Sequence, residues 1–302
     1  MIVSSLTQRD IKKRLSSGGL FFRSGPFIVH LKTKINDIVS NFYKLYCNYE
    51  LIDDADYADF HIRIDLPLNI RRWVKPQVFF YLDDEIPFKP LPLNQAYPMF
   101  EWGLNWCIAN HSHQYLIIHA AVVEKNDKAI ILPAQPGSGK STLSAALVSS
   151  GWRLLSDELA LVATESLTVI PLARPVNLKN ESIDIIKAYN KTGLFSGRFH
   201  ETNKGTVSLL KAPDESITRM HEVAVPAFIV QPAYQAGQPA ILEEQSRGKM
   251  FMHVAENSFN YSVLAENGFA TLCQLIDNCE CYKFTYSNLQ EAVGLLDTLV
   301  TN

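Results

Sequence analysis

Neither sign of charge dominates this sequence. Its 302 residues carry 28 Lys and Arg against 31 Asp and Glu, a net charge of -3. Dedicated nucleic-acid binders usually carry a basic excess, so no nucleic-acid partner is expected. Glycine (14) and proline (15) are too sparse for a collagen-like or low-complexity chain. Long hydrophobic runs are also missing. Tyr115–Val123 is interrupted by His119 and falls far short of the ~20 residues that a membrane span needs. Charges at Arg9, Asp10, Lys12, Lys13 and Arg14 leave no apolar core for a secretory signal near the first residue. The five cysteines (Cys47, Cys107, Cys273, Cys279, Cys281) contain no CxxC pair, and Cys279-Glu280-Cys281 is too tight for the usual zinc spacing. Reduced, mostly buried thiols are expected, which suits a cytoplasmic protein with no membrane partner. The eight histidines show no HxxxH or HExxH pattern. His111 and His113 share a strand face without a third ligand nearby, so no structural metal is expected.

What is present is ordinary for a globular α/β protein: 47% apolar and 20% charged residues, enough for one large domain or two. Ser5-Leu6-Thr7-Gln8 reads as a capping box for a helix to about Leu15. Phe60–Leu66 alternates as a half-buried strand does, and Val78–Leu82 is β-branched and aromatic. Pro87, Pro90, Pro92 and Pro98 suggest an extended connection before a helix over Glu101–Ala109. After His113 the texture changes. Strands are expected at Tyr115–Val123, Ala129–Leu132, Trp152–Leu155, Leu159–Ala163, Leu167–Leu172 and Cys281–Tyr286. Helices are expected at Lys140–Ser150, Lys249–Glu256, Gly268–Asp277 and after Ser287-Asn288-Leu289-Gln290. The division is therefore a mostly β region over residues 1–111, without a recognisable catalytic motif and suited to partner or substrate binding, and an α/β region over 112–302.

The second region carries the chemistry. Ala134-Gln135-Pro136-Gly137-Ser138-Gly139-Lys140-Ser141-Thr142 follows an apolar strand and opens a helix. This is the setting of the phosphate-binding loop G-x-x-x-x-G-K-[ST], the Walker A motif, with Ala134 in place of the first glycine. Loop N–H groups and the helix N-terminus converge where phosphate would sit. Gly137 and Gly139 let the backbone approach, Lys140 reaches the β- and γ-phosphates, and Ser141 holds Mg²⁺. ATP and Mg²⁺ are thus the expected cofactors, with Gln135 to Thr142 as the nucleotide-binding residues. The strand ending in Asp157-Glu158 sits where such folds put a metal-binding acid. A solvated turn is the alternative reading of these acids, and His119 in its apolar run, read alone, is most often a hydrogen-bonded core residue.

Taken together, His119-Ala120, the Gly139-Lys140-Ser141 loop and Gly151-Trp152-Arg153-Leu154-Leu155-Ser156-Asp157-Glu158 stand in an order that resembles the HPr kinase/phosphorylase family. Within it the chain looks most like the HPr-kinase-related kinase A group. The resemblance implies a P-loop catalytic domain of the HPr-kinase-like, phosphoenolpyruvate-carboxykinase-like kind, and possible homo-oligomers. It implies that Asp157, His119 and Lys140 are catalytic, with Asp157 accepting the acceptor's proton, and that Ser141 and Glu158 hold the metal. Thr142 stands where the family has an acid, and Arg174-Pro175-Val176-Asn177-Leu178-Lys179-Asn180 stands where it has a further signature. Arg174 and Lys179 are therefore candidates for phosphate or substrate contacts, and Asn257–Tyr261 for base or acceptor contacts. The expected activity is ATP-dependent phosphorylation of a hydroxyl on a Ser or Thr of a peptide or small protein. A small-molecule kinase and a non-catalytic nucleotide-binding module are the alternatives.

Overall fold

Local chemistry sets where the elements begin. The computed structural model describes residues 1–53, 55–135 and 137–301. Thr7 accepts the Asp10 N–H while the Asp10 carboxylate accepts the Thr7 N–H. This box opens helix α1 (Gln8–Ser16). The cap is thus Thr7 rather than Ser5, which closes a short 3₁₀ turn. Two strands, β1 (Leu20–Ser24) and β2 (Phe27–Thr33), form a hairpin, followed by α2 (Asn36–Leu45) and β3 (Leu51–Ile52). Strands β4 (Phe60–Asp65), β5 (Gln77–Leu82) and β6 (Leu91–Pro92) complete a six-stranded sheet in the order β3-β1-β2-β4-β5-β6.

Helix α3 (Ala96–His111) packs on this sheet. It starts before Glu101 and includes Pro98, which the sequence reading left in an extended connection. Pro98 sits in the first turn, where a missing N–H deprives the helix of nothing. Gly103 permits the packing: a Cβ there would lie 2.1 Å from the Phe80 ring.

The larger sheet is built on β7 (Tyr115–Lys125) and β8 (Lys128–Pro133). Asn126 and Asp127 join them with φ of 55° and 60°, as a tight two-residue hairpin turn requires. Then come α4 (Lys140–Ser149), β9 (Arg153–Ser156), β10 (Leu159–Ala163) and β11 (Val169–Ile170), a shorter strand than Leu167–Leu172 suggested. Strand β12 (Val176–Lys179), helix α5 (Glu181–Tyr189) and the hairpin of β13 (Phe199–Thr202) and β14 (Gly205–Leu210) follow. Their strands make a separate three-stranded sheet, β12-β14-β13. The chain closes with α6 (Asp214–Thr218), β15 (Pro226–Tyr234), β16 (Ile241–Glu244), α7 (Arg247–Glu256), α8 (Tyr261–Asn278), β17 (Glu280–Tyr286) and α9 (Leu289–Thr301). Helix α8 begins earlier than Gly268 and breaks at Ala265, whose φ is 49°. The final cap is Asn288, which accepts the Gln290 and Glu291 N–H groups; Ser287 instead donates to the Gln238 carbonyl.

The large sheet runs β11-β10-β7-β8-β15-β17-β16, with β9 added on β7. Its centre, β8-β15-β17, is parallel. Such strands are buried on both faces, and β8 divides its side chains accordingly. Ile130 and Leu132 join a core with α4 and α9, while Ala129 and Ile131 join one with α7 and α8. The first of these cores continues without a break into the N-terminal sheet through Phe22, Phe42 and Phe100. Because β7 runs antiparallel to β8 and β9, His119 on β7 lies at the end of the sheet where β8 and β9 finish. In open α/β sheets, carboxyl strand ends are where ligands bind.

Candidate nucleotide-binding and catalytic site

The loop after β8 owes its shape to two glycines. Gly137 and Gly139 have φ of 92° and 90°, in the left-handed region. A Cβ on Gly139 would also lie 2.4 Å from the Tyr286 hydroxyl oxygen. That hydroxyl donates to the Gly139 carbonyl at 3.0 Å, and the Tyr234 N–H donates to the Ser138 carbonyl at 3.0 Å. Strands β15 and β17 thus pin the loop from one side. Ala134 is buried and keeps a negative φ, so this position needs no glycine. Pro136 lies outside the described residues. The first turn of α4 leaves the N–H groups of Lys140, Ser141 and Thr142 without intrahelical partners.

These groups open into a cleft of about 670 Å³, which also exposes Gln135, Gly137, Ser138 and Gly139. His119, Glu158, Asn177, Lys179 and Lys204 form its other walls. Lys140 is buried and its Nζ has no hydrogen-bond partner. Burial pushes its pKa down, against the pull of Asp157 and Glu158. The two acids alternate across the chain, as successive strand residues do. Asp157 is buried; its Oδ2 accepts the Asn177 N–H at 3.2 Å and its Oδ1 has no partner. Burial raises its carboxyl to about 6, with Lys140 opposing. Glu158 faces the cleft and takes the opposite shift. Burial disfavours its charge, but Lys204, Lys140 and Lys179 outweigh it and hold the carboxyl below its ordinary value.

His119 is half-buried on the same side of β7 as Ile117 and Ala121. Burial and Lys140 push its pKa down to about 4, against Glu158, so the ring is neutral near pH 7. The His119 backbone N–H donates to the Asn257 carbonyl at 2.6 Å. Asn260 bridges the Ile117 N–H and the Tyr115 carbonyl. The Asn257–Tyr261 segment is thus tied along β7, and Phe259 stands 5.7 Å from the His119 ring.

Arg174 does not line this cleft. It is buried, with its Nη2 2.5 Å from the Glu101 carboxylate and its Nη1 donating to Asn105. Tyr46 and Tyr97 donate to the same carboxylate at 3.0 and 2.7 Å. The sequence expectation of a phosphate or acidic-substrate contact is corrected here: the guanidinium is saturated by α3 and the N-terminal core. Of the expected pair only Lys179 reaches the cleft.

The Arg174 network has a functional end. Asn105 accepts from Arg174 and donates to Glu158, so α3 orients the acid at the cleft. Sequence reasoning missed Asn105, Asn177 and Lys204. A signal for Asn105 existed: Glu101 and Asn105 lie one turn apart on α3 and share a face, inside an aromatic helix where a carboxylate demands a partner. Removing one member of a buried pair leaves an uncompensated charge, so Glu101→Gln is expected to destabilise the fold by about 3–5 kcal/mol. Urea unfolding of the variant measures this.

A second cleft, about 510 Å³, adjoins the first and shares His119, Glu158 and Lys204 with it. Trp102 and Trp106 of α3, together with Phe259, form its apolar walls. The Lys204 ammonium sits 5.1 Å over the Trp102 ring.

No family model matches the chain, and no curated protein matches it. Among solved structures, the chain is similar to the Hpr(Ser) kinase/phosphatase from Coxiella burnetii. The similarity covers 62% of this chain and 94% of that one, at 13% identity and a TM-score of 0.28. An overlap this loose gives no residue-by-residue equivalence. What can be said of the chemistry rests on the side chains described above.

Proposed function

We propose that the protein is an ATP- and Mg²⁺-dependent kinase of the HPr-kinase-like type. It passes the γ-phosphoryl group to a hydroxyl on a Ser or Thr of a peptide or small protein. One observation carries this reading: the unpartnered, buried Lys140 ammonium at the start of a glycine-turned loop, beside two acids whose pKa values are driven apart. Divergent neighbouring acids are a mark of acid–base assignment.

The residues fit a metal–nucleotide ligand. Lys140 Nζ, Ser138 Oγ, Asp157 Oδ1 and Asn177 Oδ1 are buried without partners, a state that costs free energy until a ligand relieves it. Loop N–H groups, Ser138 and Lys140 suit phosphate oxygens. The Ser141 hydroxyl and the Glu158 carboxylate suit Mg²⁺, which takes few protein oxygens and shares substrate phosphates. When bound, the ion neutralises charge on the β- and γ-phosphate oxygens.

The chain's own residues do the rest. Lys140 stabilises charge that develops on the transferring group. Asp157 is assigned the acceptor's proton; it is buried and lines neither cleft, so the role requires the acceptor to reach its free Oδ1 when the substrates bind, and a carboxyl held near 6 is better matched to it than an ordinary one. Neutral His119 offers a ring nitrogen where the two clefts meet, the place for the acceptor hydroxyl, and Asn105 keeps Glu158 in line. Trp102, Trp106 and Phe259 exclude water from one side.

Transfer is expected to rise as pH increases through about 6, because Asp157 must be ionised to act as base. His119, at about 4, adds no second limb above pH 5. A pH–rate profile checks this. The decisive assay uses radiolabelled ATP with cell extract, then separates proteins from metabolites. Label in a protein supports the reading, label in a metabolite replaces it with a small-molecule kinase, and ATP binding without transfer or hydrolysis replaces it with a binding module. The walled second cleft would also hold a sugar-sized acceptor, and this assay discriminates the two.

A further inference from the structure

A cavity of about 910 Å³ lies away from both clefts, beside the connection from β4 to β5. Residues 66–76 make this connection. At its tip Leu68 is 94% exposed, Trp73 72%, Ile70 68% and Val74 54%. Large apolar side chains bunched in one segment contribute nothing to the core and mark an interaction site. Cations are threaded among them: Arg71, Arg72 and Lys75, with Lys34 across the cavity. Among the described residues none of these four forms an ion pair. Two acids also stand on the cavity wall: Asp65 pairs with Arg63 at 3.9 Å, and Asp37 accepts from the Asn41 amide at 2.9 Å through Oδ1 while its Oδ2 has no partner, so four cations face two acids there. The tip forms a 3₁₀ turn over Ile70–Arg72 whose cap, Asn69, accepts the Arg71 N–H at 2.9 Å.

We propose that residues 66–76 are a peripheral anchor that docks this protein on a bilayer rich in anionic lipid. Leu68, Ile70, Trp73 and Val74 enter the acyl boundary, and Arg71, Arg72, Lys75 and Lys34 meet lipid phosphates around the cavity mouth. The pattern of apolar and aromatic tip with flanking cations is that of interfacial membrane binding. The chain as a whole is net negative, so the attraction is confined to this patch. An acidic protein partner would satisfy the cations but would need a matching pocket for a protruding apolar tip, whereas a bilayer supplies one anywhere. This departs from the sequence expectation of no membrane partner, because the missing hydrophobic run bears on a spanning segment and not on an exposed surface tip. This surface is independent of the phosphotransfer chemistry.

The test is co-sedimentation of the full chain with phosphatidylcholine vesicles, with and without phosphatidylglycerol, at low and raised salt. Binding is expected only with phosphatidylglycerol, weakening with salt, with a blue shift of Trp73 emission that Trp73→Phe removes. Leu68→Ser/Trp73→Ser and Arg71→Gln/Arg72→Gln are each expected to cut partitioning about tenfold or more. Unchanged melting temperatures would show that these exposed positions leave the fold intact. No partitioning, or partitioning that neither double variant changes, overturns the proposal. A concentration-dependent oligomer abolished by the same variants, without vesicle binding, also overturns it and assigns the patch to self-association.

Discussion

Asp157→Asn is expected to lower phosphoryl transfer by about 10³-fold, the usual scale for losing a positioned base, while nucleotide affinity stays near that of the native protein. The same change is expected to stabilise the nucleotide-free fold. The native carboxyl titrates at about 6 against an ordinary 3.8. Between these values the folded protein holds a proton that the unfolded chain has released, so this residue's contribution to stability declines as pH rises through about 6. At neutral pH the ionised side chain therefore costs on the order of 1–3 kcal/mol. Asparagine keeps an oxygen for the Asn177 N–H and carries no buried charge. Melting curves without nucleotide should show the variant above the native protein at pH 7.5, with the gap narrowing below pH 6 and closing only near pH 4. A variant that melts lower at pH 7.5, or that turns over at the native rate, would remove Asp157 from its role. A gain in stability at the expense of rate is the expected behaviour of a strained functional site.

Lys140→Met is expected to act on both binding and rate. The substitution keeps the apolar stem and removes only the ammonium. Charge-assisted bonds to phosphate are strong, so affinity for ATP is expected to fall about 100-fold. Transfer at saturating ATP should fall about 10²–10³-fold, as when a preorganised donor is removed. Calorimetry and a thermal-shift assay check the first part: ATP should raise the melting temperature of the native protein and of Asp157→Asn, and that of Lys140→Met only at about 100-fold higher concentration. If Lys140→Met responds at the same ATP concentration as the native protein, the nucleotide lies elsewhere.

The loop was legible because its requirements are local. A left-handed turn demands Gly137 and Gly139, a helix start follows at Lys140, and all of this is written within a few residues. Ala134 could be accommodated for an equally local reason, its negative φ. The capping errors at Ser5 and Ser287 were small, since neighbouring Thr7 and Asn288 offer the same chemistry and only the geometry of the incoming chain chooses between them. Pro98 misled because proline reads as a breaker everywhere except in a first turn.

Arg174 was illegible for a different reason. Its partners, Glu101 and Tyr46, come from α3 and α2's C-terminal cap, and no spacing rule connects segments so far apart. The same holds for Lys204, which a hairpin tip brings to Glu158, and for Asn105, whose role exists only because α3 brings it to Glu158, just after β9. What the residues alone determined was the set of groups able to grip phosphate and the strand and helix that present them, because backbone conformation and periodicity are short-range. What tertiary structure decided was which charges are free. Burial and long-range pairing leave Lys140 and Asp157 with unpartnered atoms and saturate Arg174, and these depend on every segment that packs around them.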